Sequence, residues 1–279
     1  MLASDIDRTL LWSHKRIGDV PPADLVCLEV LQERDWAFVT RRALDVLDRM
    51  TAGEGVRELV LCTTRTPDQV LRLRLPRYRR VLCLNGGALL VDGVPDPDHA
   101  RATTALVSQR RPMTEFSDRV RHLAEAPHVR GLRDADGHFG YFLLTGDPVP
   151  DAWVEELEAV AAEDGWRLTH EQTKVYAMPD VLTKEAGLAR LLERGGTGDD
   201  ELVAAAGDSI LDEGMLRLAR HALVPRGAYL ESHDWDGAVT AATGVLAGEE
   251  IALWLAQHAG LPVAEPGRAP VSSGGLDSR

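Results

Sequence analysis

Short apolar runs, each ended by polar turn residues, recur along the chain: residues 1 to 6, "VRELVLC" at 56 to 62 and "RVLCL" at 80 to 84. Continuous apolarity over so few residues suits strands buried on both faces, and parallel strands are predicted there. Between them, 37 to 50, "AFVTRRALDVLDRM", sets Phe38, Ala43, Val46, Leu47 and Met50 at helical spacing, with Thr40 as a candidate N-cap. A second helix is predicted over 67 to 75, opening on Pro67, whose missing N–H costs nothing in a first turn. Strand, helix, strand, helix, strand implies an α/β fold with a Rossmann-like, doubly wound parallel sheet.

The pattern changes after "CLNGGALLVDG". Residues 88 to 94 and 138 to 144, "HFGYFLL", read as hairpin-type strands, with helices near 114 to 125 and 151 to 164, so 88–175 is expected to be an inserted α+β cap domain. From 182 the first pattern resumes: helix 183 to 193, strand 201 to 206, helix 211 to 219, a strand-like 222 to 224 and helix 248 to 259. The core is therefore split between 1–87 and 176–263. The tail, 264–279, "AEPGRAPVSSGGLDSR", is rich in Pro, Gly and Ser and is expected to be disordered.

Composition narrows the function classes. With 44% hydrophobic and 27% charged residues over 279 positions the chain is an ordinary globular one. A net charge of −13 argues against nucleic acid as a partner, since that binding rests on clustered Lys and Arg. No run is apolar for long enough to span a bilayer, and Asp5 and Asp7 interrupt any signal-peptide core, so no membrane association and a cytoplasmic location are expected. Cys27, Cys62 and Cys83 form no CxxC pair, and neither a disulfide framework nor a zinc site is indicated. Lysine is scarce, only Lys15, Lys174 and Lys184, which makes a lysine in a motif conspicuous.

Four motifs sit where predicted strands end, the edge at which open α/β sheets bind ligands. "LASDIDRTLL" carries Asp5 and Asp7 two apart, so both can face one crevice. Paired carboxylates repel unless a cation lies between them or one keeps a proton, and Mg2+ suits such oxygen ligands. The same pattern also serves as a plain strand-end turn. "LVLCTTRTPDQ" offers the hydroxyls of Thr63 and Thr64 and then Arg65 before a helix N-terminus, which can bind phosphate or simply cap the helix. Lys184 in "VLTKEAGLARLLE" opens a helix, where a cation opposes the helix dipole. "VAAAGDSILDEGML" brings Gly207, Asp208 and Asp212 to the end of a small apolar strand. The loop "RDADGHFGYF" could select a substrate through Arg133, Asp136 and His138, but reads better as a DG hairpin turn.

In this order, DxDxT, Thr, Lys and GDxxxD resemble the four motifs of the haloacid dehalogenase superfamily, mostly Mg2+-dependent phosphatases and phosphotransferases. The position of the insertion, "TTRT" and "LNGG" resemble the members with type-two caps, the Cof-like, sucrose-phosphatase-like and mannosyl-phosphoglycerate-phosphatase-like group. The resemblance implies Asp5 as nucleophile, Asp7 as general acid and base, Thr63 as phosphate-binding hydroxyl and Lys184 as neutralising cation. It implies Asp5, Asp7 (by its backbone carbonyl), Asp208 and Asp212 as the Mg2+ ligands, with Thr9, Thr64, Arg65, Asn85 and Gly86 as substrate contacts. The expected function is a Mg-dependent phosphatase acting on a small phosphorylated metabolite of sugar or polyol phosphate type, as a monomer or homodimer. A phosphotransferase or phosphomutase of the same fold, and a non-catalytic phosphometabolite-binding regulator, are the alternatives. Three departures stand out: Arg8 replaces a common Gly and is expected to point away from the crevice, Thr64 replaces the Gly of "TGR", and Leu211 replaces the Asn before the last motif Asp.

Overall fold

Alternate residues of each central strand feed two different apolar layers. In the computed structural model, which describes residues 1–76, 78–171, 173–195 and 201–263, Leu2, Leu59, Leu61, Val81 and Cys83 pack on one face of the sheet. Ala3, Val60, Cys62 and Leu82 pack on the other. The first layer meets helices Arg41–Thr51 and Val245–His258 through Val46, Leu47, Ile251 and Leu255. The second meets helices Lys184–Arg194 and Glu213–Leu218 through Leu188, Leu191, Met215 and Leu216. This two-sided burial is why the strands read as unbroken apolar runs.

The large sheet has eight strands, in the spatial order Ala238–Thr243, His221–Arg226, Ala204–Ala206, Leu2–Ser4, Leu59–Cys62, Arg80–Cys83, Ala88–Val91 and Val94–Pro95. The first six are parallel, and Leu2–Ser4 lies at the centre, between strands from the two halves of the chain. The chain leaves Leu2–Ser4 towards one edge and returns on its other side, which makes its carboxyl end the topological switch point.

The last two strands are antiparallel and extend this sheet, so 88 to 94 is a hairpin, as expected, but paired to the parallel strands rather than to the insertion. Conversely, residues 176 to 179, expected in the core, complete strand Lys174–Pro179 of a separate four-stranded antiparallel sheet with Trp166–Glu171, Phe139–Leu144 and Val129–Ala135. Helices Met113–Arg119, Arg121–Ala124 and Asp151–Asp164 pack on that sheet, whereas Pro97–Val107 lies against strand Ala88–Val91 of the large one. Its Asp136–Gly137 turn has φ of 51° and 75°, the left-handed pair that the DG signal predicts. The expected tail at 264–279 lies outside the described residues.

A third sheet departs from expectation. Thr40 does cap helix Arg41–Thr51, its Oγ1 accepting from the Ala43 amide at 3.0 Å. Phe38, however, lies in strand Arg34–Thr40, which pairs with Leu25–Leu31 and Trp12–Ser13. The hairpin turn uses Gln32 and Glu33 at φ of 50° and 61°, residues that rarely signal such a turn. Among the described residues no helix is long and apolar enough to cross a membrane.

The "LNGG" turn joins the two halves. Leu84 and Asn85 are left-handed (φ 52° and 57°), and the Asn85 Nδ2 donates to the Leu182 carbonyl at 2.9 Å. Gly86 has φ of 92°, and a Cβ there would lie 2.3 Å from the Thr183 carbonyl oxygen. The turn is thus wedged against the residue that caps helix Lys184–Arg194, Thr183 Oγ1 accepting from Ala186 at 3.1 Å. Gly86→Ala should destabilise the protein by about 2 kcal/mol beyond the cost of Gly146→Ala, a site of similar φ with open space around it. Denaturant melts of the two variants measure this difference.

Candidate functional site

At the carboxyl end of Leu2–Ser4 the chain turns at once, the Ile6 carbonyl accepting from Leu10 and Leu11 at 3.0 and 2.8 Å. That turn delivers Asp5 and Asp7 to one polar cavity of about 550 Å3, while Ile6 packs inward. Around it lie Arg8, Glu29, Thr64, Arg65, Phe139, Tyr141, Glu171, Lys174, Tyr176, Lys184, Asp208, Ser209 and Leu211, drawn from the two smaller sheets, from loops that follow strands of the large sheet and from helix Lys184–Arg194.

At its base a buried cation bridges two carboxylates. Lys184, 1% exposed, donates through Nζ to Asp5 Oδ1 at 2.6 Å and to Asp212 Oδ1 at 2.5 Å. Asp212 in turn accepts through Oδ2 from the amides of Asp208 (3.1 Å) and Ser209 (3.0 Å) and from the Ser209 hydroxyl (3.0 Å). This fold-back requires Gly207, where a Cβ would come within 2.4 Å of Asp212 Cβ. Burial lowers the proton affinity of Lys184, but the charges of Asp212 and Asp5 outweigh it and raise its pKa, so the ammonium is charged.

Asp5, Asp208 and Asp212 each offer an oxygen within 4.8 Å of the others. Asp5 Oδ2 is buried without a hydrogen-bond partner among the described residues. Burial pushes Asp5 up to about 7, with repulsion from Asp212 and Asp7 adding to the shift and Lys184 opposing it. Burial likewise lifts Asp208 well above the carboxylate range, against Arg8. An all-oxygen donor set, an unpartnered buried oxygen and raised proton affinities fit a hard divalent cation, which lets these groups ionise together.

A second cluster lies beside the first. Arg65 holds Asp7 with two bonds, 2.7 and 2.8 Å, and Glu29 with two more, both 2.8 Å. Burial would raise the pKa of Asp7, yet the hydrogen bonds and charge of Arg65 prevail and lower it. Glu29 sits in the unforeseen Leu25–Leu31 strand, and no motif marks it.

Arg8 corrects a sequence expectation. It does not point away: its Nε lies 3.1 Å from Asp208 Oδ2 and its Nη2 3.4 Å from Glu171 Oε2 of the antiparallel sheet. The strand ends at Ser4 and Arg8 takes φ of 62°, so strict alternation of sides no longer holds. The left-handed conformation also explains why Gly is at home there.

Not every candidate reaches the cavity. Thr64 and Arg65 line it, whereas Thr63 is buried behind them, its Oγ1 accepting from the Arg65 amide at 3.1 Å. Thr9 is fully buried, its hydroxyl without a partner, and Asn85 and Gly86 belong to the wedge beneath helix Lys184–Arg194. None of these four lines the cavity, and neither do Arg133, Asp136 and His138 of the DG hairpin, although Phe139 and Tyr141 just beyond them do.

The arrangement of the two larger sheets has counterparts among solved structures. The sucrose-phosphatase of Synechocystis sp. PCC6803, solved with sucrose and phosphate, aligns at a TM-score of 0.62 with 15% identity over 93% of this chain and 97% of that one. The C-terminal domain of the C. albicans trehalose-6-phosphate phosphatase gives 0.55 and 14% over 94% and 92%. A haloacid dehalogenase-like hydrolase from Bacillus subtilis gives 0.52 and 14% over 88% of each chain. The chain has the haloacid dehalogenase fold. Within this haloacid dehalogenase fold the insertion supplies Glu171, Lys174, Tyr176, Phe139 and Tyr141 to the cavity, residues that no motif marked. No protein-family model matches the chain, and no curated protein sequence does.

The raised proton affinities have a consequence for metal binding. To ligate a cation, Asp5 must give up a proton that it holds below about pH 7, and Asp208, raised well above the carboxylate range by burial, must give up its proton as well. Added Mg2+ should therefore raise the melting temperature more well above pH 7 than well below it, and Asp208→Asn should abolish most of the effect. Thermal scans at the two pH values, with and without the ion, check both statements.

Proposed function

We propose that the protein is a Mg2+-dependent phosphomonoesterase of the haloacid dehalogenase superfamily, hydrolysing a small phosphorylated metabolite of sugar or polyol phosphate type through an aspartyl-phosphate on Asp5. The observation that carries this reading is the buried Asp5 carboxylate at the switch point, gripped on one oxygen by Lys184 at 2.6 Å and unpartnered on the other. The fold neighbours are consistent with it, since two of them are phosphatases of sugar phosphates by name.

In this reading Asp5 attacks phosphorus and the bond from phosphorus to the leaving oxygen breaks, while Asp7 delivers a proton to that oxygen. Asp7, now ionised, takes a proton from water as the water attacks the aspartyl-phosphate, and orthophosphate leaves with Asp5 restored. Lys184 keeps its charge throughout and neutralises Asp5 and the transferring group. Asp5, Asp208, Asp212 and the Asp7 carbonyl would hold Mg2+, which supplies further positive charge to the phosphoryl oxygens when bound. Thr64 lines the cavity wall, where its hydroxyl would meet those oxygens in place of Thr63, which holds the loop that carries it. The insertion acts as a cap that excludes bulk water from the strand ends.

Arg65 sets the proton balance of Asp7. Shared between Asp7 and Glu29, it can withdraw towards Glu29 and let Asp7 take up the proton that it must donate. Glu29→Gln leaves Asp7 as the sole carboxylate on Arg65. Hydrolysis of an alkyl phosphate, whose leaving oxygen needs that proton, should fall about tenfold more than hydrolysis of an aryl phosphate. Equal losses on both would show that Asp7 is not the acid.

The reading itself is tested by phosphate release from sugar, polyol and aryl phosphates with Mg2+ or with chelator. Turnover should require Mg2+ and fall about a thousandfold or more in Asp5→Asn. Acid quenching of the wild type should trap phosphate on Asp5. Turnover that survives Asp5→Asn would exclude the covalent route.

A further inference from the structure

The charges at the cavity pair off almost completely. Lys184 serves Asp5 and Asp212, Arg65 serves Asp7 and Glu29, and Arg8 serves Asp208 and Glu171. Arg16 and Arg72 also border the space, both at its exposed rim. Lys174 is different. It lies in strand Lys174–Pro179 of the insertion, half-buried at the cavity wall, with no carboxylate within 4.0 Å among the described residues. Its Nζ donates to the Tyr176 hydroxyl at 3.3 Å and stands 5.2 and 5.6 Å from the Tyr141 and Tyr176 ring centroids.

An ammonium has three donors and one unit of charge. The tyrosine hydroxyl takes one donor, and the rings offer a modest electrostatic attraction without a counter-ion. The remaining donors are met by water only while the cavity is wet. A ligand that fills the space removes that water, and a neutral leaving group would leave Lys174 desolvated and unpaired, a state that costs several kcal/mol. A leaving group with its own anion turns the same desolvation into a charge-assisted hydrogen bond. Burial already holds the ammonium below the ordinary lysine range, with Asp7 and Glu171 opposing, as expected of a site short of one negative partner. Beside it, Glu171 Oε1 is buried and unpartnered, an acceptor placed for a hydroxyl of the same ligand.

We infer that Lys174 reads a second anionic group on the substrate, a carboxylate or a second phosphoryl on the leaving group, so that phosphorylated hydroxy acids or bisphosphates are preferred to neutral monophosphates. This rests on the phosphatase reading and narrows its substrate class. The phosphoryl to be cleaved is met by Lys184 and the aspartate cluster, leaving Lys174 as the charge that recognises the remainder of the molecule.

The test compares ligands that differ in one group, by calorimetric titration of Asp5→Asn protein so that binding is read without turnover. 3-Phosphoglycerate against glycerol 3-phosphate exchanges a carboxylate for a hydroxymethyl group, and fructose 1,6-bisphosphate against fructose 6-phosphate adds a second phosphoryl. The anion-bearing member of at least one pair should bind about tenfold more tightly, and which pair responds names the anion. In Asp5→Asn/Lys174→Met the ratio should fall to near one, and Lys174→Arg should preserve it. Equal affinities within both pairs, or a preference untouched by Lys174→Met, overturn the inference. Phosphate release from an aryl phosphate by the wild type is followed in parallel: its absence counts against the phosphatase reading, while the binding ratios still decide the role of Lys174.

Discussion

Lys184 between Asp5 and Asp212 is the interaction on which the rest of the site depends. Three charged groups share a pocket with almost no water, and removing the cation would leave two buried carboxylates facing each other, a loss of about 3 to 5 kcal/mol for such groups. The surroundings are arranged to hold that cation. Thr183 caps its helix, the "LNGG" turn presses on the Thr183 carbonyl, and Gly207 lets Asp212 fold back over the amides of Asp208 and Ser209. Asp212 is thereby fixed by donors on both oxygens, while Asp5 keeps one oxygen without a partner. The asymmetry separates a carboxylate with both oxygens satisfied from one with an oxygen left to offer, and it follows from hydrogen-bond count alone.

How far the molecule could be read from its sequence depends on how local each signal is. Asp5, Asp7, Lys184, Asp208 and Asp212 stand in short motifs, and five of the six parallel strands declare themselves by apolar runs, the half-exposed edge strand Ala238–Thr243 being missed, so fold class and the floor of the cavity were legible. The three-stranded sheet of 12 to 40 was not, because its tight turn uses Gln32 and Glu33 in place of Gly or Asn. Glu29 was lost with it. Strand Trp166–Glu171 mixes polar with apolar residues and Lys174–Pro179 is a mainly apolar run after its lysine, common textures that mark no function, and so Glu171, Lys174 and Tyr176 stayed hidden. Thr9, Thr63, Asn85 and Gly86 failed in the opposite sense. Thr63 and Asn85 hold their loops through side-chain hydrogen bonds, Gly86 leaves room for the Thr183 carbonyl, and Thr9 is buried beneath the first motif, so none of the four lines the cavity.

The walls of the cavity thus come from non-adjacent segments with different constraints. The core motifs must place carboxylates and a cation within a few ångströms, which only particular residues at fixed spacing can do. The insertion has only to present side chains of suitable shape and charge over the opening, and many sequences satisfy that demand. The same reasoning explains why 14–15% identity to the neighbours named above coexists with coverage of nearly the whole chain. The fold is shared with those neighbours, while most side chains are free to differ.

Arg8 is where the two parts meet. A left-handed arginine costs about 1 to 2 kcal/mol relative to an ordinary conformation. The cost is offset by charge-assisted contacts with Asp208 in the core and Glu171 in the insertion, each acid lying buried where an unpaired charge would be worse. Glycine at this position would relieve the backbone and lose both contacts. The register between insertion and core is therefore fixed inside the cavity, by one guanidinium, as well as by packing at the "LNGG" junction behind it. An opening motion of the insertion must separate Arg8 from Glu171 or from Asp208, and either break exposes a buried carboxylate, so closure and charge balance at the aspartate cluster are parts of one equilibrium.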